Sequence, residues 1–340
     1  MDKIDYLTKL SEALYAAGYD DAYVLLCTEY ASRLLENGLP VIFDTEHFSR
    51  ILGVDREVIN KYVFASDYYY TEATIPKKSG GVRILQIPSL ELKRVQRWIV
   101  DSILKKIRIS EYATGFCDGA SIVRNATKHL KKECVVSMDI QDFFPSISFE
   151  TVFRIFNYYG YTKELSFFFA KLCTYNNELP QGSPASPWLS NIACLKLDKR
   201  LAKLAERYES DYTRYADDIT FSGSKYIGNI IKTSILILND ENFKVNERKT
   251  RVAFKKDRQE VTGLIVNNDS VRVDRRYKRS LWQEIYYCQK YGMSDHLNHI
   301  NCNKAFYKEH LYGKVYFVNM VEPLEGKKML EALDQIAWDY

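Results

Sequence analysis

Residues 212–221 read Tyr-Thr-Arg-Tyr-Ala-Asp-Asp-Ile-Thr-Phe, and the fold turns on how this stretch is read. β-Branched and aromatic residues flank Ala216-Asp217-Asp218, which predicts two short strands meeting at a tight turn. An Asp-Asp pair in a solvent loop is ordinary turn chemistry. Here Tyr212 and Tyr215 on one side, and Ile219 and Phe221 on the other, supply apolar bulk that a solvent loop does not need. The pair is therefore expected at the open edge of a packed hairpin.

Working outward, Cys134-Val-Val-Ser-Met-Asp139 reads as a short buried strand that ends on a carboxylate. Phosphoryl transfer to a nucleotide uses two hard cations about 3.5–4 Å apart. Hard cations take carboxylate oxygens. One acid at a strand end plus two in a neighbouring hairpin turn can bridge such a pair, and Asp139, Asp217 and Asp218 fit that design. Asp142, three residues on, reads as a local cap.

The remaining elements alternate in period. Ile4, Leu7, Leu10 and Leu14 make one helical stripe, and Asp20 caps a second helix that stops at Asn37-Gly38-Leu39-Pro40. A short helix follows Asp55. Residues 74–76 and 82–85 predict two strands joined by Lys77-Lys78-Ser79-Gly80-Gly81, and Ser89 caps a helix with Leu92, Val95, Ile99, Ile103 and Ile107 on its buried side. Helices are expected at about 149–158, 162–174, 185–207 and 225–238, strands around 251–266, and helices thereafter. A few strands among many helices predict α+β layers rather than a doubly wound sheet.

The chain's 340 residues carry a formal net charge of only +4, but Lys244 to Arg279 holds twelve Lys/Arg against five Asp/Glu. That concentration suits a polyanion, and a solvated helix face explains it equally well. Seven scattered cysteines without a C-x-x-C pair support neither a disulfide framework nor a zinc ribbon. No cleavable signal is apparent. No apolar stretch approaches the ~20 residues of a membrane span, so a cytoplasmic protein is expected.

Tyr215-Ala-Asp-Asp218 resembles the Y-x-D-D box of reverse transcriptases. VVSMDIQDFFPSI (135–147) resembles their first catalytic strand, and LPQGSPASP (179–187) their L-P-Q-G-x-P-x-S-P segment. IPKKSGGVRI (75–84) resembles the fingers hairpin, and Asn246-x-x-Lys249-Thr250 the later box ending in Lys-Thr. The blocks stand in family order. Asn125-Ala126-x-x-His129 and Val261-Thr262-Gly263 look like the two signatures of the retron branch, and Gly313 to Pro323 is similar to its thumb ending.

The resemblance implies a right-hand polymerase with an antiparallel palm sheet. Its expected parts are an N-terminal helical extension (1–37), fingers (38–105 and 147–182), a catalytic palm (106–146 and 183–265) and an RNA-binding thumb (266–340). It implies RNA-directed DNA synthesis with two Mg²⁺ on Asp139, Asp217 and Asp218. Nucleotide contacts would come from Lys78, Arg83, Gln181 and Lys249, with Phe144 crowding the sugar 2′-carbon. RNA or primer contacts would come from Asn125, His129, Val261, Thr262 and Gly263, and from Arg275, Arg276, Lys278 and Arg279 of the basic segment; from the residues alone, Asn125 and His129 read equally as a satisfied helix-end pair, and Val261-Thr262-Gly263 as plain β-structure. Implied partners are a structured noncoding RNA serving as template and primer, its DNA product, dNTPs and a separate effector protein in antiphage defence. The product would be a branched RNA–DNA hybrid. Alternatives are a group II intron-like enzyme, though these normally carry more chain after the thumb, and an RNA-binding scaffold that restrains an effector with little catalysis.

Overall fold

The computed structural model describes residues 2–76, 80–301 and 305–338. Lys78, expected on the triphosphate, lies outside the described residues. The chain opens with α1 (Lys3–Ala16) and α2 (Asp21–Glu36). Asp20 caps α2, its carboxylate accepting from Tyr23 N at 2.9 Å. α3 (Thr45–Leu52) and α4 (Arg56–Phe64) start at Asp44 and Asp55 in the same way. The strands β1 (Tyr70–Pro76) and β2 (Val82–Pro88) pair antiparallel, Ile75 opposite Arg83. Ser89 caps α5 (Leu90–Ser102).

Then follow α6 (Ile122–Thr127), β3 (Cys134–Gln141), α7 (Phe149–Tyr158), α8 (Lys163–Cys173), α9 (Ser186–Ala193) and α10 (Leu195–Arg207). The strands β4 (Ser210–Tyr215) and β5 (Asp218–Gly223) precede α11 (Ile230–Asp240), β6 (Lys244–Val245) and β7 (Arg251–Phe254). A last small hairpin, β8 (Glu260–Val261) and β9 (Leu264–Ile265), leads to α12 (Arg275–Tyr291), α13 (Met293–His299), α14 (Tyr307–Val321) and α15 (Pro323–Leu333). The class is α+β with antiparallel sheets. Among the described residues no helix is long and apolar enough to cross a membrane.

Five expected elements differ. β3 runs two residues past Asp139 to Gln141, and α5 stops at Ser102, leaving Ile103 and Ile107 beyond it. The stripe on α1 is only half covered, and Ile4 is exposed. The helix expected from 225 begins at Ile230, because β5 runs to Gly223 and Tyr226 is held by a ring stack on Phe254 at 5.9 Å. The helix expected over 185–207 is interrupted at buried Cys194.

The chain divides into two compact units. The first comprises residues 1–117, 140–201 and 235–245. Its core is aromatic: Phe169 meets Phe48, Tyr161 and Phe156 at ring distances of 5.0, 5.0 and 5.2 Å. Buried Gln96 ties three segments of this unit together. Its amide donates to Tyr70 Oη (2.9 Å) and Leu172 O (2.8 Å), and its carbonyl accepts from Ser183 Oγ (2.9 Å). The second unit comprises 118–139, 202–234 and 246–340. Its antiparallel sheet runs β4-β5-β3-β7, with β4 at the edge. The β8–β9 hairpin sinks Val261 and Leu264 into a core shared with Leu281, Ile285, Val315 and Val318.

In the first unit the Pro180-Gln181-Gly182 turn lies against β2, where Gln86 N donates to Gln181 O at 3.0 Å. Gly182 has φ +152, and a Cβ there would stand 2.5 Å from Gln86 O. Because the obstacle is backbone, it cannot rotate away. Gly182→Ala is expected to cost about 1–3 kcal/mol through overpacking, read as a lower urea midpoint; an unchanged midpoint would show that the turn can back away from β2.

Candidate active site

Strand register brings the first two acids together. Asp139 is the direct cross-strand partner of Asp218, the first residue of β5. Tyr215 pairs with Asp218 across a two-residue turn, Ala216-Asp217. Ala216 has φ +57, the left-handed loop conformation whose twist matches a hairpin and which costs a non-glycine residue about 1–2 kcal/mol. Arg214 holds that conformation from beneath. It has no exposed surface, and its Nη1 donates to Ala216 O at 3.2 Å. Sequence reading passed over Arg214 because an arginine between two tyrosines in a short strand gives no sign of burial.

Asp139 is 7% exposed and accepts from Lys249 Nζ at 2.8 Å through Oδ2. Its backbone carbonyl accepts from Asn246 N at 2.8 Å, so the Asn246-x-x-Lys249 segment is docked on the end of β3. The hydrogen bond to Asp139 holds the Lys249 ammonium above the usual lysine range. Asp218 opens toward solvent, yet its carboxyl is pushed up to about 7. The protein packed around it raises it most, then the charges of Asp217 and Asp139, while Lys249 pulls it back.

Asp139, Asp218 and Lys249 line a cavity of about 760 Å³ that also touches Arg251, Arg258, Thr262 and Gly263. Among the described residues no three His, Cys, Asp or Glu side chains already stand as a ready cation cage. The donor chemistry nonetheless fits hard cations: carboxylate oxygens gathered on two paired strands and their turn, with one acid already paired to a cation in Lys249.

The other expected nucleotide contacts belong to the first unit. Phe144 lines a cavity of about 410 Å³ together with Phe116, Pro180, Gly182 and Pro184. The Phe144 ring lies 5.9 Å from Phe116, whereas Phe143 is in the core against Phe243 at 5.9 Å. The two neighbouring phenylalanines thus do different work. Lys93 and Arg97, four apart on α5, line the same cavity; their i,i+4 spacing was the available signal and sequence reading missed it. Gln181 is half-buried in its turn, and Arg83 is exposed on β2.

The expected RNA contacts divide into exposed and buried groups. Arg275, Arg276 and Arg279 are exposed on α12. Lys278 is half-buried and bonds both carboxylate oxygens of Glu322 at 2.9 and 2.8 Å. Thr262 (φ +46) and Gly263 (φ +81) form the β8–β9 turn, whereas Val261 is core. Asn125 and His129 are buried at 1% and 0% exposure. Asn125 Nδ2 donates to Thr262 Oγ1 at 3.4 Å, so the N-A-x-x-H and V-T-G segments touch each other. The His129 ring nitrogens lie 2.7 Å from Ser222 Oγ and 2.7 Å from Thr213 Oγ1.

Comparison with known proteins was consistent with this geometry. Residues 75–266 match the family model described as reverse transcriptase (RNA-dependent DNA polymerase). The chain is 31% identical over 313 residues to the Retron Ec86 reverse transcriptase of Escherichia coli, covering 91% of this chain and 94% of that one. It is 32% identical to the Retron Mx162 reverse transcriptase of Myxococcus xanthus (89% and 69% covered). It is also 32% identical to the Retron Mx65 reverse transcriptase of the same organism (88% and 73% covered).

Burial lowers the His129 pKa from 6.5 to about 4, with Asp211 opposing and Lys132 and Lys128 adding to the fall. The folded protein keeps this ring neutral, while the unfolded chain protonates it near the ordinary value. Its contribution to stability is therefore full above pH 6.5 and is lost as pH falls toward 4, by up to roughly 3 kcal/mol. Urea midpoints between pH 7.5 and 5 should fall more steeply for wild type than for His129→Gln; equal slopes would mean the ring takes up its proton in the fold.

Proposed function

We propose, on the premise that this chain belongs to the reverse transcriptases of the retron type, that its RNA-directed DNA polymerase activity is carried by Asp139, Asp217 and Asp218 with two Mg²⁺. The single observation supporting this reading is the register that sets Asp139 against Asp218, with Asp217 in the adjoining turn. The family uses divalent metal ions, and these three carboxylates would hold them. Such cations supply the charge that activates an attacking hydroxyl and steadies a triphosphate.

The chain's own groups complete the site. Lys249 places a proton-bearing ammonium 2.8 Å from Asp139, where it neutralises that acid before substrate arrives and can turn to the leaving pyrophosphate afterwards. By the family resemblance, the exposed Arg83 on β2 would meet the triphosphate, and Gln181 in its turn would contact the incoming nucleotide. Phe144 selects deoxyribose by filling the space a 2′-hydroxyl would need.

The Thr262-Gly263 turn and Arg251 border the same cavity as Asp139 and Asp218, which suits a primer end laid along it. The exposed arginines of α12 add phosphate contacts. We assign residues 38–105 and 147–182 to fingers, 106–146 and 183–265 to palm and 266–340 to thumb. The substrate is then a structured noncoding RNA that is both template and primer, and the product a branched RNA–DNA hybrid. A cytoplasmic antiphage role with a separate effector protein follows for the same class.

Two substitutions test this. Asp217→Asn should lower primer extension by about 10³-fold, the several kcal/mol expected of a lost cation ligand, with its urea midpoint unchanged or raised. Near-normal extension by that folded variant would sink the metal assignment. Phe144→Val should cut the preference for dGTP over GTP in single-nucleotide addition by roughly 10- to 100-fold. An unchanged ratio would return Phe144 to a packing role.

A further inference from the structure

Residues two apart in a strand share a face, and the register puts Asp139, Tyr215 and Asp218 on the same face as Thr213, Thr220 and Ser222. The acids stand at one end of that face. The segment just after α6 covers the other end. There a single imidazole, His129, reaches Thr213 Oγ1 on β4 and Ser222 Oγ on β5, each at 2.7 Å. All three side chains are fully buried, at 0% exposure. A neutral ring offers one donor and one acceptor, and a hydroxyl can take either role, so the triplet is satisfied without charge.

The geometry of this contact is diagonal. Thr213 pairs across the ladder with Thr220, and Ser222 lies one same-face step farther along β5. A brace set diagonally resists sliding of one strand along the other. β4 needs this, since among the described residues it is an edge strand whose one sheet neighbour is β5, and any slide moves the Asp217-Asp218 turn directly. From the same short segment, Lys132 Nζ bonds Asp211 on β4 at 2.6 Å. At the opposite flank of α6, Asn125 Nδ2 donates to Thr262 Oγ1, which in turn donates to Ile122 O, both at 3.4 Å. The helix is thereby tied to the catalytic hairpin at one end and to the Thr262-Gly263 turn at the other.

We propose that His129 is a positioning residue for nucleotide addition, acting through Thr213 and Ser222 to fix the catalytic hairpin relative to the turn that borders the primer side of the cavity. This rests on the polymerase reading above. It assigns the N-A-x-x-H histidine to the protein interior rather than to RNA: the ring has no surface to offer a ligand. Asn125 serves the other end of the same strut.

The test uses the full chain with a synthetic RNA template and an annealed DNA primer, at saturating primer-template and at temperatures where each variant is folded by circular dichroism. His129→Ala should lower kcat roughly 10- to 100-fold, the scale of a misplaced reacting group, with KM for dNTP and Kd for primer-template little changed. His129→Gln, which can still bridge a hydroxyl, should recover part of the loss. The double variant His129→Ala/Ser222→Ala should be no slower than His129→Ala alone, because both remove one interaction. Should His129→Ala fail to fold, Ser222→Ala and Thr213→Val each remove one arm of the brace and should show the same kcat-selective loss. Unchanged kcat in folded variants would overturn the positioning role. So would unchanged kcat at saturation with a raised Kd, which is the signature of a direct RNA contact. A wild type that extends no primer would overturn the polymerase reading with it, whereas an active wild type and an equally active His129→Ala overturn the positioning role alone.

Discussion

Like charges do not gather unaided, and the mutual repulsion of Asp139, Asp217 and Asp218 is the constraint around which the second unit is organised. Register sets two of the acids opposite each other, and the hairpin turn adds the third. Each neighbouring feature offsets part of that repulsion or holds the geometry against it. The Lys249 ammonium sits on Asp139. The Arg214 guanidinium grips the carbonyl of the left-handed Ala216. His129 braces the two strands behind the turn. Active sites are places where local strain is held by surrounding structure, and here two of the holding groups, Arg214 and His129, are themselves buried and polar, while Lys249 holds from the exposed side.

What could be read in the sequence was local. The hairpin at 212–221 and the caps at Asp20, Asp55 and Ser89 are signalled by residues within a few positions of one another, and each stands where its pattern places it, whereas the strand expected to end at Asp139 runs on to Gln141 to pair with β6. Family order then supplied the chemistry of the acids. What escaped was long-range. His129 finds its partners 84 and 93 residues away, and Asn125 meets Thr262 across 137. No periodicity or spacing announces such pairs. Isolated polar residues usually belong at the surface, so the residues alone leave Asn125 and His129 open between ligand contact and internal pairing, and give no sign of Arg214. Arg214, Asn125 and His129 are instead interior residues with satisfied bonds.

The basic segment shows the same limit from another side. Its charge surplus is real, yet Lys278 is committed to Glu322, 44 residues on, and supports the packing of α12 on the segment before α15. Arg275, Arg276 and Arg279 keep their exposure. Counting charges along a sequence therefore overstates the number that can meet phosphate. Likewise V-T-G is a composite: Val261 belongs to the core shared with the C-terminal helices, while Thr262 and Gly263 make the turn.

The contact between the Pro180-Gln181-Gly182 turn and β2 bears on how such enzymes can be recombined. The backbone bond from Gln86 to Gln181, with no room for a side chain at Gly182, makes residues 70–88 and 179–187 one interchangeable module despite some ninety intervening positions. A chimera that imports the strand pair from a relative inherits its exact backbone path. If the turn is left behind, the seam falls across a contact that side-chain repacking cannot repair. Exchange of these two segments between relatives should therefore succeed as a paired graft and fail piecemeal, a modularity set by main-chain proximity rather than by the boundaries of motifs.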